Sequence, residues 1–165
     1  EMASGLPLAL LLCLSSGLWT GTDAGCRIRA ADADDCPPGW SWFEGRCFVY
    51  VKDTLDWAAA ERYCLSVGGN LVSFHSTAEY NFIRDLIFKK SGAHTLCWAG
   101  GNDAAKDGVW MWSDGSKFDF TAWHAGEPNN NGGSESCMDI NLRGQDFVND
   151  ELCTPNLPFV CAKYV

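Results

Sequence analysis

A short acidic stretch in the last third of the chain carries the side chains best suited to chemistry. They are Glu127, Asn129, Glu135, Asn149 and Asp150. Carboxylate and amide oxygens, with no imidazole or thiolate among them, are the ligands of a hard cation such as Ca²⁺. Pro128 lies between two of them and predicts a locked turn, for which a cis peptide bond is one option. We therefore expect a surface calcium site with an open coordination position.

The composition limits the partners that such a site could serve. The chain has 165 residues, which suits one domain, and 47% of them are hydrophobic, which is enough for a packed core. Its net charge is −9. A chain this acidic argues against a nucleic-acid partner, because phosphate backbones are bound by basic faces. It argues equally against docking to an anionic lipid surface.

The first residues resemble a targeting segment. Residues 6–14 form an almost unbroken apolar run, shorter than the roughly 20 residues that a spanning helix needs. Small and polar residues follow, which predicts a signal peptide over 1–24 with cleavage near Ala24. A buried N-terminal helix is the alternative. The polar residues 25–35 then read as a flexible N-terminal arm, and we expect a secreted, extracellular protein whose folded domain spans 36–165.

The cysteine count agrees with export. Of nine cysteines, Cys13 lies in the predicted signal peptide, and the other eight form an even set. An even number in an exported chain predicts disulfide bonds, although counting alone leaves on the order of a hundred pairings open. No Cys-x-x-Cys pair is present, so a zinc knuckle or a thioredoxin-type redox site has no support.

Two helices and several strands must position the acidic stretch. Residues 46–51 are rich in strand-forming types, and a helix capped by Asp53 or Thr54 should follow and end at Gly68. Ser76 and Glu79 have the spacing of a capping box and begin a second helix, which Gly92 ends.

The second half of the chain predicts strands joined by glycine-rich turns. Residues 95–99 and 109–112 read as strands, and Gly100-Gly101 as a turn. Residues 121–158 show little periodicity and are interpreted as one long irregular region, which is usually functional in a compact domain. Residues 159–162 form a closing strand that we expect to pair with the first. The predicted fold class is α+β, with two helices, small antiparallel sheets and a long loop region.

Several motifs together resemble the C-type lectin-like domain, and in particular small secreted single-domain lectins of fish. The resemblance covers residues 36–162. Its motifs are Cys36-Pro37 with Gly39-Trp40, Trp98-Ala99-Gly100-Gly101, Trp110-x-Trp112-Ser113-Asp114-Gly115, Glu127-Pro128-Asn129 and Val148-Asn149-Asp150. The family pattern implies the disulfides Cys36–Cys47, Cys64–Cys161 and Cys137–Cys153. Cys26 and Cys97 are then left over; they could pair with each other, or Cys26 could cross-link two chains into a homo-oligomer.

The resemblance also implies the function. Glu127, Asn129, Glu135, Asn149 and Asp150 would form both the principal Ca²⁺ site and the carbohydrate-binding site. The order Glu-Pro-Asn implies glycans with equatorial vicinal hydroxyls, such as mannose, N-acetylglucosamine or fucose. A role in agglutination or innate immune recognition would follow. Asp103 and Asp107 match two ligands of an auxiliary calcium site, but Asn130 and Ser136 stand where the family often has Asp, so a second ion is not predicted.

Three other function classes were weighed against a lectin. An enzyme is disfavoured because no Gly-x-Ser-x-Gly motif is present, and carboxylates bound to calcium would be poor proton donors. An ice-binding protein of the type II antifreeze kind shares the scaffold, but the loop region contains only Thr121 and Thr154 where a threonine-rich surface would be needed. A protein-binding toxin or inhibitor that keeps the metal site for structure stays open.

Overall fold

The computed structural model describes residues 35–165. The predicted signal peptide over 1–24 and nearly all of the predicted arm over 25–35, including Cys26, lie outside the described residues. The strands are β1 (Ser41–Phe43), β2 (Arg46–Leu55), β3 (Asn70–Leu71), β4 (Cys97–Asn102), β5 (Met111–Trp112), β6 (Cys137–Ile140), β7 (Val148–Glu151) and β8 (Leu157–Tyr164). The helices are α1 (Trp57–Ser66) and α2 (Thr77–Ser91), with single 3-10 turns at Asn131–Gly133 and Leu142–Gly144.

One connected sheet joins the two ends of the described domain. Its strand order is β1-β2-β8-β4-β6-β7, with β3 on β8 and β5 on β4. The closing strand pairs antiparallel with β2, with Val49 opposite Cys161, so the predicted pairing of first and last strands is confirmed. Only the β4–β8 contact among these pairs is parallel. The predicted α+β class and lectin-like fold are therefore correct, although the strands form one connected sheet and not several small ones.

Three disulfide bonds fasten this sheet to its neighbours. They are Cys36–Cys47, Cys64–Cys161 and Cys137–Cys153, the same pairs that the family resemblance implies. Cys64 lies on the buried face of α1 and ties that helix to β8. Cys97 is a buried free thiol in β4, and burial raises its pKa strongly.

The two helices begin and end at residues with clear capping chemistry. The Asp56 side chain caps α1 by accepting from the Ala59 amide at 2.8 Å. The expected caps Asp53 and Thr54 are wrong, because β2 continues to Leu55 and keeps both residues in the strand. At α2, Ser76 accepts from the amide of Glu79 at 3.1 Å, and Gly92 ends the helix at a φ of 81°.

Only one of the two hydrogen bonds expected of the capping box at α2 is formed, the one from the Glu79 amide to Ser76. The Glu79 carboxylate accepts from the amide of His75 at 2.8 Å rather than from that of Ser76. It also forms a buried ion pair with Arg46 of β2 at 2.5 Å. Glu79 therefore joins the start of α2 to the sheet.

The glycine pair in β4 was expected to be a turn and is part of a strand. A Cβ added at Gly100 would lie 2.6 Å from the carbonyl oxygen of Leu71, and one at Gly101 would lie 2.5 Å from Met138. Glycine is needed at position 100 because the backbone at Leu71 approaches too closely for a side chain, whereas at position 101 the contact is with the flexible side chain of Met138. The predicted strand over 95–99 accordingly begins and ends later, at Cys97 and Asn102.

The stretch 121–158, expected to be irregular, contains two complete strands and the start of a third. β6 and β7 are only four residues long, and both bury polar side chains, among them Asp139, Asn149 and Asp150. Hydrophobic alternation cannot reveal strands of this kind. Similarly, the strand expected over 109–112 shortens to Met111–Trp112. No helix within residues 35–165 has the length and apolar character needed to cross a membrane.

Candidate functional site

The loop that carries Glu127 is anchored to β7 by its backbone. Trp123 forms a bridge with Val148, and the amide of His124 donates to the Val148 carbonyl at 3.1 Å. The Glu127 amide donates in turn to the His124 carbonyl at 2.9 Å. The Glu127–Pro128 peptide bond is cis, which is the option that the sequence left open. The acidic loop is therefore attached to the sheet at its start.

Asp150 connects this loop to the sheet at its next turn. Its side chain is buried in β7, with 1% of the residue exposed. The carboxylate accepts from the amide of Asn129 at 2.9 Å and from the amide of Asn130 at 2.6 Å. Two bonds from one carboxylate to consecutive amides fix the loop over the end of β7.

Glu135 closes the far side of the same loop. Its carboxylate accepts from the amide of Asn131 at 2.6 Å, and its own amide donates to the side-chain oxygen of Asn130 at 3.0 Å. Residues 127–135 thus fold back on themselves. The structure brings the expected site residues Glu127, Asn129, Glu135 and Asp150 into one small region.

The Asn149 side chain is bonded to the neighbouring strand. Its amide nitrogen donates to the buried carboxylate of Asp139 at 3.3 Å. Asn149 on β7 lies directly opposite Asp139 on β6. The side chain of Asn149 is therefore bonded to a carboxylate that the sequence did not indicate as part of the site.

Asp139 is the acidic residue that the sequence analysis missed. It is fully buried, and one of its carboxylate oxygens has no hydrogen-bond partner among the described residues. Its spacing in the sequence could have indicated it. Asp139 stands two residues after Cys137, so both side chains lie on the same face if this segment is a strand. The signal could be used only once β6 was known to be a strand.

Crowded carboxylates raise one another's pKa in this region. Burial raises the pKa of Glu127 above its usual value, and the adjacent carboxylates of Asp150 and Glu135 raise it further. The pKa of Glu135 is also raised, again by burial first and then by Asp150 and Glu151, against a lowering by the Asn131 amide. Burial, with the nearby Glu151 and Asp150, raises the pKa of Asp139 to about 7. The region therefore favours any partner that supplies positive charge.

The donor chemistry of these residues fits a hard cation. One oxygen of Glu127 is buried next to the carboxylate of Asp150 and has no hydrogen-bond partner in the described part of the chain. Within residues 35–165, no three carboxylate, imidazole or thiol groups are arranged to hold a metal ion by themselves. A calcium site here would therefore require the amide oxygens of Asn129 and Asn149 alongside the carboxylates, as the expected ligand set has them.

The residues of the doubtful auxiliary site form a second, neighbouring cluster. Asp103 is buried and accepts from the amide of Gly108 at 2.7 Å, while its own amide donates to the Ser136 carbonyl at 3.2 Å. The carboxylate of Asp107 accepts from the side-chain amide of Asn130 at 2.7 Å. Asn130 therefore joins this cluster to the acidic loop.

Comparison with known proteins agrees with the fold and the motifs. The profile of the family described as "Lectin C-type domain" matches residues 53–163. Ladderlectin of Oncorhynchus mykiss is 45% identical over 131 residues, which is 79% of this chain and 69% of that protein. The galactose-specific lectin nattectin of Thalassophryne nattereri is 41% identical over 162 residues, covering 98% and 99% of the two chains.

Solved structures give the same fold. The structure of herring type II antifreeze protein matches with a TM-score of 0.74 and 34% identity, over 79% of this chain and 99% of that one. Two further type II antifreeze structures, one Ca²⁺-dependent and one calcium-independent, match at TM-scores of 0.72 and 0.71 with 34% and 31% identity. Each covers 78% of this chain, and the matches span 99% and 94% of those proteins respectively. Proteins similar to this chain thus include lectins and antifreeze proteins, and they differ in their need for calcium.

Proposed function

Because the chain belongs to the C-type lectin domain family, we propose that it is a secreted, calcium-dependent carbohydrate-binding protein with mannose-type specificity. One observation carries the proposal. Glu127, Asn129, Glu135 and Asp150 lie on one tightly bonded loop and strand end, and a buried carboxylate oxygen of Glu127 has no hydrogen-bond partner within residues 35–165. An oxygen-rich, negatively charged region of this kind suits Ca²⁺ better than any softer metal.

Each residue has a separate part in the proposed site. Ca²⁺, when bound, would supply coordination positions for two neighbouring sugar hydroxyls. Glu127 and Glu135 would accept hydrogen bonds from those hydroxyls, and the side-chain amide of Asn129 would donate to one of them. Asp150 holds the backbone of Asn129 in place through its carboxylate. Asn149 would use one amide hydrogen for the sugar while the other is held by Asp139.

The proposed mannose-type preference rests on the order of the two side chains around Pro128. Glu127 places an acceptor before the donor Asn129, and an exchange of the two would present the opposite pattern to a diol. Nattectin, a galactose-specific relative, makes galactose the rival ligand. Specificity is a difference between two affinities, so both sugars have to be measured side by side.

Multivalency is part of the same proposal. A shallow, hydrated monosaccharide site binds weakly, with a dissociation constant of roughly 1 mM, or about −4 kcal/mol. Agglutination or recognition of a microbial surface then needs several linked sites, because linkage raises the effective concentration of the second site. Cys26 in the proposed N-terminal arm would provide that link through a disulfide between two chains, after removal of residues 1–24.

Elution from immobilised sugars tests the proposal directly. The protein should bind mannose resin in Ca²⁺ buffer, elute with a chelator, and bind galactose resin less well. The paired exchange Glu127→Gln with Asn129→Asp should reverse that preference, since it exchanges acceptor and donor without changing the net charge. Asp85→Asn, on the exposed face of α2, is the matched control and should leave elution unchanged. Equal retention on both resins in chelator would contradict the proposal.

Ice binding is the second candidate, favoured by the similarity to herring type II antifreeze protein. Thermal hysteresis measured with and without Ca²⁺ separates it from sugar binding. Hysteresis at millimolar protein together with no retention on any sugar resin would replace the lectin proposal.

A further inference from the structure

We propose that Asn130 is a positioning residue that holds the acidic loop in its binding shape before any ion arrives. The inference rests on the proposed calcium site and concerns how that site is kept ready. Asn130 stands between two of the proposed ligands, Asn129 and Glu135, and is not one of them. We call its set of hydrogen bonds the Asn130 clasp.

The clasp consists of four hydrogen bonds made by one residue. Its backbone amide donates to Asp150 at 2.6 Å, and its backbone carbonyl accepts from Gly133 at 2.7 Å. Its side-chain oxygen accepts from the amide of Glu135 at 3.0 Å, and its side-chain nitrogen donates to Asp107 at 2.7 Å. Asn130 thus contacts a buried strand, the far end of its own loop and a separate loop.

The separate loop is held by bonds of its own, so that it can serve as a support. Asp103 is 3% exposed at the end of β4 and accepts at its carboxylate from the amide of Gly108. Its backbone carbonyl accepts from the amide of Lys106 at 2.9 Å, and its amide donates to the Ser136 carbonyl. The first two bonds close residues 103–108 into a turn, and the third joins that turn to Ser136, directly before β6. Asp107 is presented from that turn.

Asparagine suits position 130 in both backbone and side chain. The residue has φ 46° and ψ 48°, in the left-handed region that asparagine tolerates better than most other residues. The side chain must also donate to Asp107 and accept from Glu135 at the same time, which an amide does. Aspartate could accept from Glu135 but would face Asp107 with a like charge. Glycine would keep the backbone conformation and lose both side-chain bonds.

The consequence concerns the cost of ordering the loop. When a loop is mobile, only the fraction of molecules already in the binding-competent shape can take up the ion. The apparent affinity is the intrinsic affinity multiplied by that fraction. A loop held by the clasp avoids that loss. Removal of two side-chain hydrogen bonds should lower the Ca²⁺ affinity by about tenfold, given the modest net stabilisation of each bond.

Hydrogen exchange in a chelator, without sugar, tests the clasp apart from any lectin activity. In the full chain, the hydrogen-bonded loop amides should be protected at least about tenfold relative to an unstructured peptide; they are those of Asn129, Asn130, Asn131, Gly133 and Glu135. Asn130→Gly and Asn130→Asp should lose that protection, while exchange in β2 and β8 stays unchanged. Asn131→Gly is the matched control for Asn130→Gly, because it removes the same side chain from the next residue, whose side chain has no hydrogen bond among the described residues. Its exchange should match the wild type.

Calorimetric titration with CaCl₂ supplies the second readout, which a purely structural role would not move. Asn130→Gly should bind Ca²⁺ about tenfold more weakly at an unchanged thermal midpoint, and Asn131→Gly should bind normally. Asp107→Ala removes the partner instead and should reproduce the loss, which covers an Asn130 variant that folds poorly. Unprotected wild-type loop amides in chelator, or Asn130→Gly with wild-type protection, would overturn the clasp. A protected loop that takes up no Ca²⁺ would leave the clasp standing and overturn the proposed function.

Discussion

Replacement of the buried Asp139 by asparagine should stabilise the calcium-free protein at neutral pH and leave it unchanged in acid. Asp139 is fully buried between Trp98 and Asn149 on the neighbouring strands. Burial raises its pKa from the ordinary 3.8 to about 7. Asparagine has the same shape, carries no charge and keeps an oxygen that can accept from Asn149.

The raised pKa of Asp139 determines how the stability of the fold changes with pH. A carboxyl group with a raised pKa in the folded state prefers to be protonated there, so its favourable contribution is complete below about pH 3.8. That contribution is lost as the pH rises towards 7, because ionisation is easier in the unfolded chain. A rise from 3.8 to about 7 corresponds to roughly 4 kcal/mol. Asp139→Asn should recover up to that amount at pH 8 and close to none at pH 4.

Urea unfolding followed by tryptophan fluorescence provides the assay, in chelator so that no ion contributes through Asn149. The difference in the free energy of unfolding between Asp139→Asn and wild type should grow from pH 4 to pH 8. Asp85→Asn, on the exposed face of α2, is the matched control and should show no such growth. A difference that stays constant across this range would mean that Asp139 does not titrate as its burial requires, and the electrostatic reasoning at this site would be wrong.

Two further predictions concern the carboxylates. Calcium affinity should fall as the pH drops from 7 towards 5, because the raised pKa values of Glu127 and Glu135 let protons compete with the ion earlier than at an isolated glutamate. Titrations with CaCl₂ at several pH values should show the calcium affinity falling by up to about tenfold per pH unit for each proton bound. An affinity that does not change between pH 7 and pH 5 would refute the ligand assignment. Glu79→Gln should destabilise the fold by about 3–5 kcal/mol in urea unfolding, because Arg46 would remain as a buried charge without its closest partner. Arg46 also donates to Ser73 and lies 4.0 Å from Asp114. A loss below about 1 kcal/mol would show that these two residues are sufficient partners for Arg46.

The sequence predicted best those elements whose signals are local. The start of α2 follows from Ser76, whose hydroxyl caps the helix, and its end from the left-handed Gly92. The pairing of first and last strands followed from composition and chain order. The cap of α1 was misplaced because β2 extends beyond its apolar part, through the exposed residues 52–54. Nothing in that polar segment distinguishes a strand from a loop before its partner strand is known.

The proposed site was selected by motif, and the motif does not contain every residue that the proposal uses. Glu127, Asn129, Glu135 and Asp150 could be selected because their types and order match the family. Asp139 and Asn130 act through other residues, so the ligand chemistry does not point to them. Asp139 is recognised only from its register against Asn149, and Asn130 only from the approach of Asp107.

The misread strands and the missed residue have a common physical origin. β6 and β7 carry buried polar groups because they support a charged site, and those groups remove the alternation by which strands are recognised. The cost of their burial is offset by hydrogen bonds that two loop amides donate to Asp150 and that the side-chain amide of Asn149 donates to Asp139. Among the described residues, one oxygen each of Glu127 and Asp139 has no hydrogen-bond partner, and a bound cation could supply one. The strands that are least recognisable in the sequence are therefore those that the proposed function uses.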